Sequence, residues 1–234
     1  MNKSSGIYVA IGQIFVLGFV STLVQIIMMR EFMFIFGGNE LIIGVILANW
    51  MVITGIGAFV GKSAVHIRNR EAFSRNAIIL LGWIPPVLFF FIEFLRNFLF
   101  KPGVEIGFFQ VMISTIIFLA PFCFLSGFLF TCLAGFISSQ KIPVPAEKAY
   151  AFESAGSLLA GVSASFILFS FFSNFQAMLL LPVCTGIFLL VPPGKKSTLV
   201  PRLGILVLLC IVVSALYALK ADHWLKEVYF TRQK

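Results

Sequence analysis

Long apolar runs separated by short polar segments dominate this chain. Seven runs come near or exceed the length of about 20 apolar residues that a helix needs to cross a bilayer. A spanning segment must pair its own backbone groups, so it is a helix or a strand of a closed barrel. Barrel strands alternate apolar and polar residues, whereas these runs are continuously apolar. The pattern predicts an all-α fold, a polytopic transmembrane bundle, with spans near residues 7–29, 41–61, 77–95, 106–137, 149–171, 175–193 and 201–219.

The predicted organisation is one transmembrane bundle over residues 1–219, followed by a short basic tail over residues 220–234. The first apolar run reaches Met29 without a small-residue cleavage site, so we expect an uncleaved span rather than a signal peptide. The stretch "FFSNF" leaves very few residues between the fifth and sixth spans. It predicts a tight antiparallel hairpin.

Composition agrees with a membrane protein. The chain of 234 residues is 60% hydrophobic and 11% charged, against about 25% charged residues in soluble domains. A net charge of +8 is found in many nucleic-acid-binding proteins, but here the basic residues lie between apolar runs, as they do beside membrane spans. The lipid bilayer is therefore the predicted partner, and nucleic acid is not.

The basic residues also predict an orientation. With a cytoplasmic N-terminus, the inside segments hold ten Lys and Arg residues and the outside loops hold three. Cytoplasmic loops of membrane proteins carry the excess of Lys and Arg. We therefore expect a cytoplasmic N-terminus. Seven spans would place the tail and its four basic residues outside, against the same rule, so either the tail lies outside or the number of spans differs from seven by one.

No motif for a metal, a cofactor or catalysis is found. His66 and His223 are far apart, and the cysteines lie inside apolar runs without CxxC spacing. The stretch "GIGAFVGKS" misses the phosphate-loop pattern by one position, because Ile56 stands where a glycine is needed. Gly57 and Gly61 are instead predicted to let helices pack closely. The four cysteines are Cys123, Cys132, Cys184 and Cys210.

The stretch "YAFESAGSLLAGVSASF" contains one carboxylate, Glu153, and two rows of small residues at helical spacing. Small residues let helix backbones approach each other in a membrane. Glu153 lies one turn into this span, where a carboxylate is costly. It either pairs with Lys148 or Lys141 at headgroup level, or forms a cation or proton site, or a fixed ion pair with Arg30. The predicted packing residues here are Gly156, Ser157, Ala160, Gly161 and Ser165.

A second set of polar residues lies in and just after the stretch "QIIMMREFMFIFGGNEL", which connects the first two spans. Asn39 and Glu40 suit the start of a helix, as a cap and as a charge at its positive end. Gln25 and Asn49, together with Glu153 of the fifth span, could form a buried polar layer, which would be either a structural hydrogen-bond network or a cation-binding site. The candidates for these roles are Gln25, Arg30, Glu31, Asn39, Glu40, Asn49, Trp50, Tyr150 and Glu153.

Residues 14 to about 193 resemble the N-terminal membrane region of bacterial membrane-embedded spermidine-synthase-like proteins. The later segment "AYAFESAGSLLAG" is similar to a Y-x-x-E-x-x-G-x-x-x-G motif of that group, through Tyr150, Glu153 and Gly156. The earlier matches run from the first span into the second. They are Gly18, Phe19, Ser21, Gln25, Arg30, Glu31, Phe36, Gly38, Asn39, Glu40, Leu41, Asn49, Trp50, Gly55 and Gly57.

The resemblance implies a location in the bacterial inner membrane. In such proteins a soluble aminopropyltransferase-like domain usually follows the last span. The present sequence carries neither its glycine-rich nucleotide loop nor its acidic polyamine-binding residues. We therefore expect that this chain does not itself transfer aminopropyl groups.

Two functions fit the sequence. The first is a membrane anchor or assembly subunit that binds a partner protein or a larger membrane complex. The alternative is a transporter or channel for a cation such as a polyamine, with carboxylates from Glu31, Glu40 and Glu153 and with proline-broken helices beside a cavity. An intramembrane enzyme is disfavoured, because no HExxH, GxSxG or paired aspartate occurs.

Overall fold

The computed structural model describes residues 3–38, 40–63, 70–99, 107–139 and 145–190. These ranges contain six helices and no strand. The apolar segments of the first five helices are long enough to cross a membrane, so the chain is a multi-pass membrane protein built as a helical bundle. The helices are α1 (Lys3–Ile35), α2 (Glu40–Gly61), α3 (Arg70–Leu99), α4 (Phe108–Ser138), α5 (Ala146–Phe171) and α6 (Asn174–Leu190).

The number of spans differs from the seven predicted. The first six predicted spans overlap α1 to α6 but differ from them at the ends, whereas 201–219 and the tail 220–234 lie outside the described residues. The α6 helix has 17 residues, or about 25 Å, which is less than the hydrocarbon core of about 30 Å. Length and composition therefore support five spans among the described helices.

The first helix continues beyond its predicted end at Met29. It continues to Ile35, because the apolar residues after Glu31 extend the helical surface. The helix then stops at Gly37 and Gly38, whose φ angles of 80° and 76° are left-handed. Glycine adopts this conformation without a steric penalty, so this pair ends α1 and turns the chain toward α2.

Contacts between helices define their directions. Gly18 of α1 lies against Glu153 of α5, and further along both helices Arg30 lies over Phe169. The two helices are therefore parallel. By the same test α2 is parallel to α4, since Asn49 bonds to Thr115 and Gly57 meets Phe124.

The third helix pairs in the opposite sense with α6. Gly82 lies against Thr185. Phe89, later in α3, has its ring 5.8 Å from that of Phe175, which is earlier in α6. α3 and α6 are therefore antiparallel. All these directions fit a chain that crosses the bundle back and forth.

Reciprocal glycine contacts form the crossing of α2 and α4. A Cβ atom added to Gly57 would overlap the carbonyl oxygen of Phe124, and one added to Gly127 would overlap that of Thr54. Each helix thus offers a glycine three residues after the carbonyl that it exposes. Only glycine leaves room for such an approach of two backbones.

The crossing of α1 and α5 repeats this arrangement. Gly18 lies against the carbonyl oxygen of Glu153, and Gly156 lies against that of Phe15. The Ser157 hydroxyl donates to the Gly18 carbonyl oxygen at 3.2 Å and adds a hydrogen bond to the same crossing.

The α1 helix is the centre of the bundle, since it packs on α3, α4, α5 and α6. Residues Phe172 and Ser173 alone connect α5 to α6, as the predicted short turn requires. The two helices do not pack mainly on each other as the predicted tight hairpin would require. α5 packs chiefly on α1, and α6 packs chiefly on α3 and also on α1.

The glycine contacts can be tested with two glycines of the same helix. We expect Gly57→Ala to lower the free energy of unfolding by about 1–3 kcal/mol, because its Cβ forces α2 and α4 apart. A Cβ at Gly55 meets nothing within 4 Å, so Gly55→Ala should be neutral or should stabilise by about 0.5–1 kcal/mol. Unfolding followed by circular dichroism in detergent measures both effects. Equal losses in the two variants would contradict the proposed role of the crossing.

Candidate functional site

A buried carboxylate joins α1 to the start of α6. Glu31 has 4% of its surface exposed, and its Oε2 accepts a hydrogen bond of 3.0 Å from Nδ2 of Asn174. Asn174 is the first residue of α6, so the carboxylate lies at the positive end of that helix. The hydrogen bond from the Asn174 amide thus connects the interior face of α1 to the first turn of α6.

The start of α6 is fixed by a reciprocal cap. The Ser173 backbone N–H donates to Oε1 of Gln176 at 3.0 Å, and the Gln176 backbone N–H donates to the Ser173 hydroxyl at 3.3 Å. This is the capping-box pattern, in which each side chain satisfies a backbone donor of the first turn. The cap holds Asn174 in the position from which it reaches Glu31.

Arg30 faces away from its neighbour Glu31. Its side chain is exposed, and its guanidinium carbon lies 3.8 Å from the centroid of the Phe169 ring. A π-helical turn, Ala164–Leu168, immediately precedes Phe169 in α5. Such turns shift the register of a helix. Phe169, which follows this turn, carries the ring that contacts Arg30.

The second span forms a polar tie to α4, meaning a hydrogen bond between polar side chains of two helices. The Asn49 amide donates to the Thr115 hydroxyl at 2.7 Å and to the Met112 carbonyl oxygen at 3.2 Å. The next residue, Trp50, is buried, with its ring 5.6 Å from that of Phe122. The two polar positions predicted in this span therefore both face α4.

Two further polar ties were not predicted from the sequence. Ser74 of α3 donates to Gln13 of α1 at 3.1 Å, and the hydroxyls of Ser21 and Ser126 lie 3.2 Å apart between α1 and α4. Gln13 continues the spacing of the buried α1 residues, as Glu31 does. This spacing is the signal that identifies both as inward-facing.

The structure does not gather Gln25, Asn49 and Glu153 into one polar layer. Gln25 is half-buried on α1, whereas the Asn49 amide bonds to α4. Glu153 is half-buried beside Gly18, at the opposite end of the α1–α5 contact from Arg30. An Arg30–Glu153 ion pair is therefore not formed.

The remaining candidate polar residues lie near helix ends. Glu40 is exposed at the first position of α2, and Asn39 lies outside the described residues. Tyr150 is exposed, and its ring centroid is 4.9 Å from that of Phe130. None of these positions adds to the ties within the bundle interior.

The predicted packing residues occupy different surroundings. Gly61 lies against the Phe128 carbonyl oxygen, and Ala160 is fully buried. A Cβ at Gly161 would meet nothing within 4 Å, while the exposed Ser165 hydroxyl donates to the Gly161 carbonyl oxygen at 2.9 Å. The glycine crossings described above contain the other three: Gly57, Gly156 and Ser157.

Within the described helices, no group of three His, Cys, Asp or Glu residues is placed to hold a metal ion. Cys123, Cys132 and Cys184 form no disulfide there, and Cys210 lies outside the described residues. No protein-family model, curated protein or solved structure matches this chain. The candidate site is therefore defined by geometry: a set of polar ties between helices, with Arg30 exposed beside them.

A double-mutant cycle measures the tie between α2 and α4. Asn49→Leu and Thr115→Val each remove one partner at similar volume. We expect a coupling free energy of about 0.6–1.7 kcal/mol in detergent unfolding, which is the range measured for hydrogen bonds between membrane helices. Ser21→Ala, which removes a tie to a different residue, is the control and should show no coupling with Asn49→Leu. A coupling near zero for Asn49 and Thr115 would show that this bond does not stabilise the bundle.

Proposed function

We propose that this chain is an integral membrane anchor or assembly subunit that binds a partner protein or a larger membrane complex. The observation that carries the proposal is the bonding of interior polar side chains to one another across helix interfaces. Polar groups paired in this way stabilise a bundle, whereas a transport path needs polar groups that turn toward its cargo. Such ties among the described residues include Gln13–Ser74, Ser21–Ser126, Glu31–Asn174 and Asn49–Thr115.

The outer surface of α2 supports a protein partner. Gly44 and Gly55 face open space, and large apolar residues such as Met51, 73% exposed, lie between them. Glycine on an outward face lets another helix approach closely, as Gly57 does on the inward face of the same helix. A helix of a partner protein would fit this surface.

The resemblance to spermidine-synthase-like membrane regions indicates the nature of such a partner. We propose a separately encoded synthase-like domain or a membrane complex, in the bacterial inner membrane. The distribution of Lys and Arg supports a cytoplasmic N-terminus. The apolar run 201–219 is long enough for a further span beyond the five that the described helices support.

A transporter or channel for a cation such as a polyamine is the second candidate. It is favoured by one observation, the burial of the Glu31 carboxylate with a neutral amide as its described partner. The expectation of proline-broken helices beside a cavity does not support it, since α3 continues through Pro85 and Pro86 and α4 continues through Pro121.

Recovery of a partner tests the anchor proposal. We expect one protein to co-purify in near-stoichiometric amount from native membranes in mild detergent, identified by mass spectrometry. Gly55→Leu should reduce its recovery several-fold by filling the outward surface, while unfolding of the bundle itself is unchanged. Ile56→Leu, at a neighbouring exposed position, is the matched control. Purification of the chain alone under these conditions would contradict the proposal.

Transport is tested separately with labelled spermidine and proteoliposomes that hold the purified chain. The anchor proposal expects no uptake above that of empty vesicles. Uptake that is lost in Glu31→Gln, with protein yield retained, would establish the transporter instead.

The orientation is tested by reporter fusions. A reporter active only in the cytoplasm should be active when it is fused after Lys62, between α2 and α3, and inactive after Gly38, between α1 and α2. The opposite pattern would contradict the cytoplasmic N-terminus.

A further inference from the structure

Arg30 is an exposed charge near the C-terminal end of the apolar segment of α1. The apolar segment Ile7–Ile35 of α1 has 29 residues, or about 43 Å, which exceeds a hydrocarbon core of about 30 Å by roughly 6 Å at each end. Arg30 precedes Ile35 by five residues, or about 7.5 Å. It is therefore at the boundary between acyl chains and headgroups, where an exposed arginine reaches lipid phosphates.

The guanidinium is held in place by α5. Its carbon lies 3.8 Å from the centroid of the Phe169 ring, which fits stacking of the planar group on the aromatic face. A stacked guanidinium keeps the N–H groups at its edge free for a bidentate anion such as phosphate. The adjacent carboxylate of Glu31 is buried and bonded to Asn174, so it does not cover this edge.

The surface around Arg30 is apolar and exposed. Phe34 of α1 is 64% exposed, and Phe166 and Phe171 of α5 are each 75% exposed. These rings lie within about one turn of Arg30 or Phe169 along their helices. The result is a positive charge held at headgroup depth, next to a surface suited to acyl chains.

We propose that Arg30 and Phe169 form a binding site for the phosphate of an anionic phospholipid, whose acyl chains lie along α5. Depth and charge favour a lipid over a partner helix, because this side chain lies at headgroup level and its neighbours match acyl chains. The site goes beyond the proposed anchoring function and does not depend on it.

Native mass spectrometry of the purified full chain in mild detergent tests the site. Phosphatidylglycerol and phosphatidylcholine are titrated separately. We expect Arg30→Gln to weaken phosphatidylglycerol binding by about 10-fold, since a charged hydrogen-bonding group is lost, with little change for phosphatidylcholine. Arg30→Lys keeps the charge but loses the planar fork, so an intermediate loss of about 3-fold is expected.

Lys62 provides the matched control. It lies over Phe59 of its own helix at 5.3 Å, at the opposite end of the bundle, and Lys62→Gln makes the same change in net charge. Affinity for phosphatidylglycerol should stay within about 2-fold of wild type in this variant. An equal loss of phosphatidylglycerol affinity in both Gln variants would show an effect of net charge alone and would overturn the site. An unchanged affinity in Arg30→Gln would also overturn it.

Two further outcomes separate the lipid from other ligands. Displacement of phosphatidylglycerol by an equal concentration of glycerol 3-phosphate would assign the site to a soluble phosphate and overturn the proposal. A co-purifying protein that is released by Arg30→Gln, with lipid binding unchanged, would assign Arg30 to a protein interface and also overturn it. Retention of the lipid against glycerol 3-phosphate is the expected result.

Discussion

The close approach of helix backbones at glycine-to-carbonyl contacts is the constraint on which this bundle depends. Lipid tails are as apolar as leucine, so burial of apolar surface does not drive helices together within a membrane. Attraction must come from short-range packing and hydrogen bonds. Gly57 and Gly127 bring α2 and α4 near enough for the short side chains of Asn49 and Thr115 to meet.

The register of α1 decides which polar groups enter the interior. Its buried residues recur at intervals of three and four, a spacing that includes Gln13 and Glu31 and leaves out Arg30. Two adjacent charges are thereby separated. The carboxylate meets the start of α6, and the guanidinium meets an aromatic ring on α5. The helical repeat of α1 thus places Glu31 inside the bundle and Arg30 on its outer surface, with no change in backbone geometry.

Much of the fold could be predicted from the sequence, because continuous apolar runs leave few alternatives in a membrane. Helix ends depended on local chemistry, so the Gly37-Gly38 pair marked the end of α1 better than the charged Arg30 did. Helix neighbours could not be predicted, because small residues indicate close packing without naming the partner. Gly156 was evident as a packing residue, but its contact with Phe15 depends on the whole arrangement. Gln13 was not predicted, because a single polar residue in an apolar run indicates an inward position only through its helical spacing from the other buried residues.

The parallel pairing of helices has a consequence for biosynthesis. The α2–α4 pair lies, in chain order, between the two members of the α1–α5 pair, so the contacts are nested. The inner pair is complete once α4 leaves the ribosome, whereas α1 must remain in the bilayer until α5 arrives. During that interval the Gly18 face of α1 is without its partner. Nested pairing therefore imposes an inside-to-outside order of assembly, in which the first helix made is among the last to find its permanent neighbour.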